Sequence, residues 1–234
     1  MIDFHTHILP GIDDGSDCLD TTRQLLEEMS RQGVHTVVAT PHFYAALDTP
    51  EAFLQRRAAA LELVSTLQGN YPKIIPGAEV AYFDGMENSG ILEQLQVGDS
   101  KLLLVEMPMC PWTQRMIRAI CDLPVQTGLI PVLAHVDRYR HPDQFPRYRD
   151  QLLESGILFQ CNAEAFVTPF VRRWALKHLK TGRIHFLGTD THNLTDRKPN
   201  MQQARDFISK KLGAYTLSDL TDFTAELLKI ETGA

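Results

Sequence analysis

The chain has 234 residues, of which 44% are hydrophobic and 22% are charged, and its net charge is −6. This composition is typical of a globular protein with a large core, and it excludes disordered, collagen-like and coiled-coil chains. We expect one domain over residues 1–234 and no nucleic-acid partner, because nucleic-acid binding needs a basic surface.

Short apolar runs alternate with amphipathic stretches, which predicts an α/β protein with parallel strands. The predicted strands are 1–4, 36–40, 73–76, 102–106, 130–134, 157–161 and 184–188. The predicted helices are 18–32, 51–68, 112–127, 143–155, 169–180, 198–212 and 217–230, with one helical turn between 87 and 95. Seven such strands fit an open doubly wound sheet or a closed barrel. Since the first strand is followed by His5-Thr6-His7 and not by a glycine-rich phosphate turn, the barrel is favoured.

Several helix boundaries have a physical basis in the sequence. Thr49-Pro50 and Thr168-Pro169 each predict an N-cap followed by proline at the first helical position. Four glycines fall where a helix stops before a strand, the position at which a left-handed residue ends many helices. They are Gly33, Gly128, Gly156 and Gly182.

Histidines and carboxylates gather at the ends of the predicted strands. Six of the seven strands end on such residues, which are His5, His7, His42, Glu79, Glu106, His135, Asp190 and His192. The carboxyl ends of barrel strands meet at one mouth, and so many buried ionisable groups are too costly without cations. We predict a site for two or three divalent ions, with Mn, Fe and Zn all compatible with nitrogen and oxygen ligands. Such ions activate water for hydrolysis. In contrast, His35, His178 and His185 are expected to be ordinary core or surface residues.

Two basic clusters follow candidate ligands at the same mouth. Arg138 and Arg140 come just after His135, and Arg197-Lys198 comes just after His192. A guanidinium binds phosphate oxygens with two parallel hydrogen bonds. We favour Arg138 and Arg197 as phosphate ligands and expect Arg140 to hold its loop. The alternative to phosphate binding is that these are exposed loop arginines that pair with Asp137 and Asp196.

No apolar run approaches the roughly 20 residues that span a bilayer, and no secretion signal is visible at the start. We therefore expect a cytoplasmic protein without membrane insertion. The four cysteines form no CxxC pair and are expected to be reduced thiols. They are Cys18, Cys110, Cys121 and Cys161.

The ordered motifs resemble the PHP (polymerase and histidinol phosphatase) superfamily, and within it the bacterial protein-tyrosine phosphatases of the CpsB/CapC/YwqE type. The matching segments are MIDFHTHILPGIDDG at 1–15, ATPH at 39–42, PGAE at 76–79, LAH with RYR at 133–140, and GTDTH at 188–192. A CxxxxxR phosphate cradle is lacking around Cys110 and Cys161. Two segments depart from the family pattern: Val136-Asp137 replaces an expected Pro-Glu pair, and the apolar loop 107–112 has no assigned role.

The resemblance implies a distorted (β/α)7 TIM-like barrel, the PHP fold, with the metal site at the carboxyl ends of the strands. It implies three ions, commonly manganese. One would bind His5, His7, Glu79 and Asp190, a second Glu79, Glu106 and His135, and a third Asp14, His42 and His192. Asp13 remains an alternative to Asp14. The resemblance also supports Arg138 and Arg197 as phosphate ligands, while Asp190, His42 and His192 are candidates for proton donation.

The implied reaction is hydrolysis of phosphotyrosine on the tail of a bacterial tyrosine kinase that controls capsule or exopolysaccharide synthesis. Two alternatives remain open. The same centre could hydrolyse a small phosphomonoester such as histidinol phosphate, or the chain could be a metal-binding regulatory module without catalysis. The oligomeric state cannot be predicted from the sequence.

Overall fold

A computed structural model describes residues 1–231 of the chain. Nine strands alternate with eight α-helices in this part. The strands are β1 Ile2–Thr6, β2 Thr36–Ala39, β3 His42–Phe43, β4 Lys73–Pro76, β5 Glu79–Ala81, β6 Leu102–Glu106, β7 Ile130–Leu133, β8 Leu158–Asn162 and β9 Phe186–Gly188. The helices are α1 Leu19–Arg31, α2 Pro50–Ser65, α3 Gln114–Thr127, α4 Phe145–Glu154, α5 Glu164–Val167, α6 Arg172–Lys180, α7 Met201–Leu212 and α8 Tyr215–Leu228. The predicted turn near residue 90 is two 3-10 turns, Met86–Asn88 and Leu92–Leu95.

The strands form two parallel sheets, which confirms the predicted α/β class. The three-stranded sheet has the order β1-β2-β4, and the six-stranded sheet has the order β3-β5-β6-β7-β8-β9. The predicted strands 36–40 and 73–76 correspond to β2 and β4, and each is followed by a short strand that was not predicted, β3 or β5, which gives nine segments in place of seven. Pro41, between β2 and β3, has no N–H to donate to a sheet. Gly77 separates β4 from β5, and a Cβ there would lie 3.2 Å from the side chain of Val97.

Hydrogen bonds join β1 to the segment that follows β9. Thr189 donates from its backbone N and its Oγ1 to the carboxylate of Asp3, at 2.8 and 2.6 Å. Asp190 N donates to His5 O at 2.8 Å, and His7 N donates to Thr191 O at 2.9 Å. The two ends of the strand order therefore meet, and the first and last histidine motifs of the sequence become neighbours.

An apolar cluster fills the space between the strands on the side away from those motifs. The rings of Phe4 and Phe186 stack with centroids 4.1 Å apart. Ala225 and Leu228 of α8 belong to the same cluster, and Lys229 Nζ donates to Asp99 O at 2.9 Å, just before β6 begins. Helix α8 thus covers the amino ends of the strands and leaves their carboxyl ends open.

The helix-boundary predictions are partly confirmed. Thr49 Oγ1 accepts from Ala52 N at 3.2 Å, with Pro50 at the first helical position. The four predicted glycine caps have positive φ angles between 66° and 78°. The prediction for Thr168-Pro169 is wrong: the helix begins at Arg172 as α6, the short helix α5 lies before the predicted range, and Thr168 has an extended conformation between the two. The residue before proline is disfavoured in the helical region, which ends α5 there.

None of the helices in residues 1–231 is long and apolar enough to cross a bilayer.

Candidate metal centre

Glu79 is the hub of a buried cluster at the carboxyl ends of the strands. Its Oε2 lies 3.2 Å from His5 Nε2, 3.3 Å from His7 Nε2 and 3.1 Å from His42 Nδ1. Its Oε1 lies 3.0 Å from His135 Nε2. Only 1% of the Glu79 side chain is exposed. Four imidazoles from three separate segments of the chain therefore converge on one carboxylate.

The predicted ligands form three overlapping groups, and in each group one ligand atom per residue lies within 4.8 Å of all the others. The groups are His7, Asp14, His42 and His192; His5, His7 and Asp190; and His42, Glu79 and Glu106. His135 adjoins the third group, with its Nε2 3.4 Å from Glu106 Oε1. All nine predicted ligands thus lie together. The grouping differs from the implied one, since His7 joins the Asp14 group and His42 joins the Glu79 group. In addition, Glu79 is absent from the group of His5 and His135 is absent from the group of Glu79.

Asp13 and Asp14 have different positions. Asp14 Oδ1 faces the cluster, 3.2 Å from His192 Nε2 and 3.5 Å from His42 Nε2. Asp13 Oδ2 instead accepts from His7 Nδ1 at 2.7 Å and from His42 N at 2.9 Å. Because Asp13 holds the Nδ1 atom of His7, the Nε2 atom of His7 points to the centre. Asp14 is therefore the candidate ligand of the two, and Asp13 is a hydrogen-bond partner of the candidate ligand His7.

The donor set fits divalent cations. Nitrogen ligands lie about 2.1 Å from such ions, so two of them at right angles are about 3 Å apart, and His5 Nε2 is 3.1 Å from His7 Nε2. Two buried imidazole nitrogens that face carboxylates of the cluster, His42 Nδ1 and His192 Nε2, also lack a hydrogen-bond partner within residues 1–231. Buried polar atoms without partners are costly, and a metal ion is a natural partner for a nitrogen lone pair.

The electrostatics favour positive charge at the centre. Burial lowers the pKa of His7, but hydrogen bonds with Asp13 and Glu79 outweigh burial and raise this pKa to about 10. For His135, burial is likewise outweighed by Glu106 and Glu79, and the pKa rises to about 9. The pKa of Glu79 lies well below its usual value, because the surrounding histidines offset its burial. A site with this potential attracts cations.

Two amides on β8 support the cluster, and the sequence analysis missed both. Gln160 Oε1 accepts from His135 N at 2.5 Å and contacts His5 Nδ1 at 3.2 Å. Gln160 Nε2 donates to Asn162 Oδ1 at 2.9 Å, and Asn162 Nδ2 donates to Asp190 Oδ2 at 3.2 Å. The His135 N–H is a donor and must meet an acceptor, so the Gln160 oxygen faces it. The Gln160 nitrogen then faces Asn162, whose oxygen must accept from it, and this fixes the orientation of both amides. Gln160 therefore requires a proton on His5 Nδ1, and the lone pair of His5 Nε2 faces the centre.

Strand alternation was the available signal for these amides. Gln160 lies on the predicted strand 157–161 and Asn162 directly follows it; since both lie on β8, two residues apart, they share a face. His135 and Asp190, which this face supports, have positive φ angles of 31° and 53°. Such conformations are strained for residues with a Cβ and persist where the surroundings enforce them.

Arg138 and Arg197 lie beside Asp190. Arg138 Nη2 donates to Asp190 Oδ2, and Arg197 Nη2 donates to Asp190 Oδ1 at 2.7 Å. Neither arginine forms an ion pair with Asp137 or Asp196 in the described part of the chain. The alternative, in which these loop arginines pair with Asp137 and Asp196, is therefore not observed in this part of the chain. Arg140 Nε donates to Asp137 O at 2.8 Å and so holds its loop, as predicted.

Comparison with known proteins identifies the family. A family model described as capsular polysaccharide synthesis, CpsB/CapC, matches residues 1–228. The chain belongs to the CpsB/CapC family. The resemblance inferred from the motifs is confirmed.

Relatives in the CpsB/CapC family match over almost their whole length. The chain is 32% identical to the tyrosine-protein phosphatase CpsB of Streptococcus pneumoniae, with 94% of each chain covered. It is 29% identical to the tyrosine-protein phosphatase YwqE of Bacillus subtilis strain 168, with 99% of this chain and 93% of the relative covered. It is similar in structure, with a TM-score of 0.85 and 26% identity, to a chain from the crystal structures of YwqE and CpsB, described as unique metal-dependent tyrosine phosphatases. That match covers 99% of this chain and 96% of the other.

Proposed function

We propose that this protein is a metal-dependent phosphomonoesterase that removes phosphate from phosphotyrosine in proteins, a tyrosine-protein phosphatase. The observation that carries the proposal is the convergence of nine histidines and carboxylates beside two arginines that flank the same Asp190. Membership of the CpsB/CapC family, whose relatives CpsB and YwqE are named tyrosine-protein phosphatases, supports the choice of substrate.

The two sheets act as one distorted (β/α)7 barrel with the metal site at its mouth, in a single domain over residues 1–234. Treating β2 with β3 and β4 with β5 as interrupted strands gives seven strands in sequence order. The hydrogen bonds between His5 O and Asp190 N, and between Thr191 O and His7 N, support closure of this barrel.

The centre holds two or three divalent ions, with manganese as the first candidate and iron or zinc as the others. The ligands are His5, His7, Asp14, His42, Glu79, Glu106, His135, Asp190 and His192. Divalent ions at such a site act as Lewis acids and activate water for attack on phosphorus. Glu79 would hold ions together with these histidines, because its two oxygens face different histidines.

Arg138 and Arg197 bind the phosphate oxygens and stabilise the charge that develops on them. A guanidinium has five N–H donors, and the contacts with Asp190 and Asp14 leave most of these donors free. About one third of each arginine side chain is exposed. His42 and Asp190, which both belong to the ligand cluster, are the candidates for proton transfer to the leaving phenolate.

The substrate is the tyrosine-phosphorylated tail of a bacterial tyrosine kinase that controls capsule or exopolysaccharide synthesis, and dephosphorylation takes place in the cytoplasm. A disordered tail suits the open carboxyl-end mouth, because it can extend into the site and binds with moderate affinity.

Phosphate release from a phosphotyrosyl and a phosphoseryl peptide tests this proposal, in Mn²⁺ with and without EDTA. We expect release from phosphotyrosine that EDTA abolishes, and none above background from a His5→Ala variant. Release of phosphate from histidinol phosphate alone would instead favour a small-molecule phosphatase. A metal-loaded protein with no turnover of any of these substrates would contradict an enzymatic function.

A further inference from the structure

Two pockets border the candidate metal centre, and they have no lining residue in common. One, of about 290 Å³, is lined by charged residues that include Arg138, Asp190, Arg197 and Lys198. The other, of about 360 Å³, begins at Asp14 and His42. A phosphomonoester has a charged phosphate at one end and an organic group at the other. The two pockets also differ, since the first contains two arginines and the second contains large apolar side chains.

The pocket beside His42 carries apolar side chains that are open to solvent. Ile12, Tyr44 and Leu47 line it together with Asp48 and Arg56. Leu47 is 84% exposed and Tyr44 is 41% exposed, which is high for large apolar residues beside a buried centre. The Tyr44 ring stacks on His42 with centroids 5.3 Å apart. The apolar surface is therefore continuous with the candidate ligands.

The wall of this pocket is held in place by local structure. Tyr44 O accepts from Leu47 N at 2.9 Å and from Asp48 N at 3.0 Å, which closes a tight turn. Arg56 of α2 then forms an ion pair with Asp48 at the end of that turn. The backbone at Leu47 thus has a fixed position although the side chain is exposed, so a ligand has only that side chain to order.

We propose that the pocket between His42 and Leu47 receives the aromatic ring of the substrate, and that Tyr44 and Leu47 select aryl over alkyl phosphates. This inference rests on the proposed phosphatase function. The phosphate belongs with the arginines, since the pocket beside His42 is lined by three carboxylates, Asp13, Asp14 and Asp48, and by a single arginine. An aromatic ring gains free energy where apolar surface leaves water, and Tyr44 and Leu47 provide that surface. The apolar pocket is in contact with the same cluster, so one substrate molecule can occupy both.

The variant Leu47→Ala tests the inference, with Leu47→Met as the conservative rescue. Met109 provides a matched control, because it is also a large exposed apolar residue that follows a strand at this mouth, 59% exposed, and does not line the pocket. We expect Leu47→Ala to lower kcat/KM for a phosphotyrosyl peptide about fivefold, mainly through KM, as part of one leucine contact is lost. Leu47→Met and Met109→Ala should retain the wild-type value.

Inhibition by phenylphosphonate and methylphosphonate separates the ring from the phosphate. In Leu47→Ala, the inhibition constant of phenylphosphonate should rise about fivefold, and that of methylphosphonate should not change. An unchanged ratio of the two constants overturns the inference, as does an equal change in Met109→Ala. If the wild-type protein does not hydrolyse phosphotyrosine, the proposed function is wrong. The ring pocket can then be tested separately by calorimetry, which compares the binding of the two phosphonates to the Mn²⁺-loaded wild-type and Leu47→Ala proteins.

Discussion

Replacing Gln160 by leucine should weaken metal binding although Gln160 is not a candidate ligand. Gln160 is fully buried, and its amide meets three buried partners: His135 N at 2.5 Å, His5 Nδ1 at 3.2 Å and Asn162 Oδ1 at 2.9 Å. Each buried partner left without a hydrogen bond costs about 1–3 kcal/mol. Three such losses, reduced by partial relaxation of the structure, lower the free energy of unfolding by about 4 kcal/mol. At roughly 2–4 °C per kcal/mol for a chain of this size, the melting temperature falls by roughly 10 °C.

The effect on metal affinity distinguishes this role from simple structural support. Loss of an outer hydrogen bond to a metal ligand typically weakens metal binding about 10–100-fold. Calorimetric titration of the metal-free Gln160→Leu protein with Mn²⁺ measures this loss. In the Zn²⁺-loaded wild-type protein, ¹⁵N NMR should find the proton of His5 on Nδ1, since Gln160 Oε1 accepts it there.

Gln32 supplies the matched control. Gln32 is also a buried glutamine, 7% exposed, with three hydrogen bonds. Its Nε2 donates to Glu28 Oε1 at 2.8 Å and to Pro199 O at 2.9 Å, and its Oε1 accepts from Gln202 N at 3.1 Å. Gln32→Leu should lower stability comparably and leave Mn²⁺ affinity intact. Equal metal affinities for the two variants would refute the reasoning.

Three further predictions concern the ligands, the phosphate site and the pH dependence of stability. Asp14→Asn should release one ion per chain, whereas Asp13→Asn should retain all ions at about tenfold weaker affinity; metal analysis after dialysis checks both, and the reverse order would make Asp13 the ligand. Arg197→Lys should raise KM for a phosphotyrosyl peptide about tenfold, because lysine cannot form the two-pronged contact; loss of metal content in this variant would contradict a phosphate-binding role. Burial lowers the pKa of His185 to about 4 from 6.5, so its contribution to stability is complete above pH 6.5 and is lost as the pH falls toward 4. Urea unfolding in EDTA should find a smaller stability loss between pH 7 and 5 in His185→Gln, and an equal loss in both proteins would count against this cause.

The order of strands and helices could be predicted because periodicity and caps are local properties. Thr49-Pro50 began a helix as predicted since nothing in the tertiary structure opposes it. Thr168-Pro169 has the same local signal, but there the chain makes a turn between two short helices. Interruption of the second strand at Pro41 was visible in the sequence as a missing N–H donor. The consequence is that β2 and β3 lie in different sheets. This could not be predicted, because it depends on which strand each of them pairs with.

Eight of the nine candidate ligands could be predicted because histidines and carboxylates at strand ends stand out from apolar runs, whereas Asp14 was implied by the family resemblance. Their grouping could not, since it depends on distances across the mouth: His7 lies near His192, with ring centroids 3.9 Å apart, although 184 intervening residues separate them in sequence. Gln160 and Asn162 were missed because an uncharged amide in a strand is common and carries no specific signal. His35, His178 and His185 lie outside the three groups, as predicted.

The charges of the cluster bear on how many ions it holds with substrate bound. Four candidate ligands are carboxylates, namely Asp14, Glu79, Glu106 and Asp190, and Asp13 adds a fifth negative charge behind His7. Two divalent ions leave this set with one net negative charge, whereas three leave one net positive charge. A phosphate dianion binds more favourably to the second state, so phosphate and the third ion should bind cooperatively. Titration with Mn²⁺ should then find tighter binding of the weakest ion in the presence of inorganic phosphate, by about tenfold for a coupling of roughly 1.4 kcal/mol. Equal affinity with and without phosphate would mean that the two arginines alone balance the dianion.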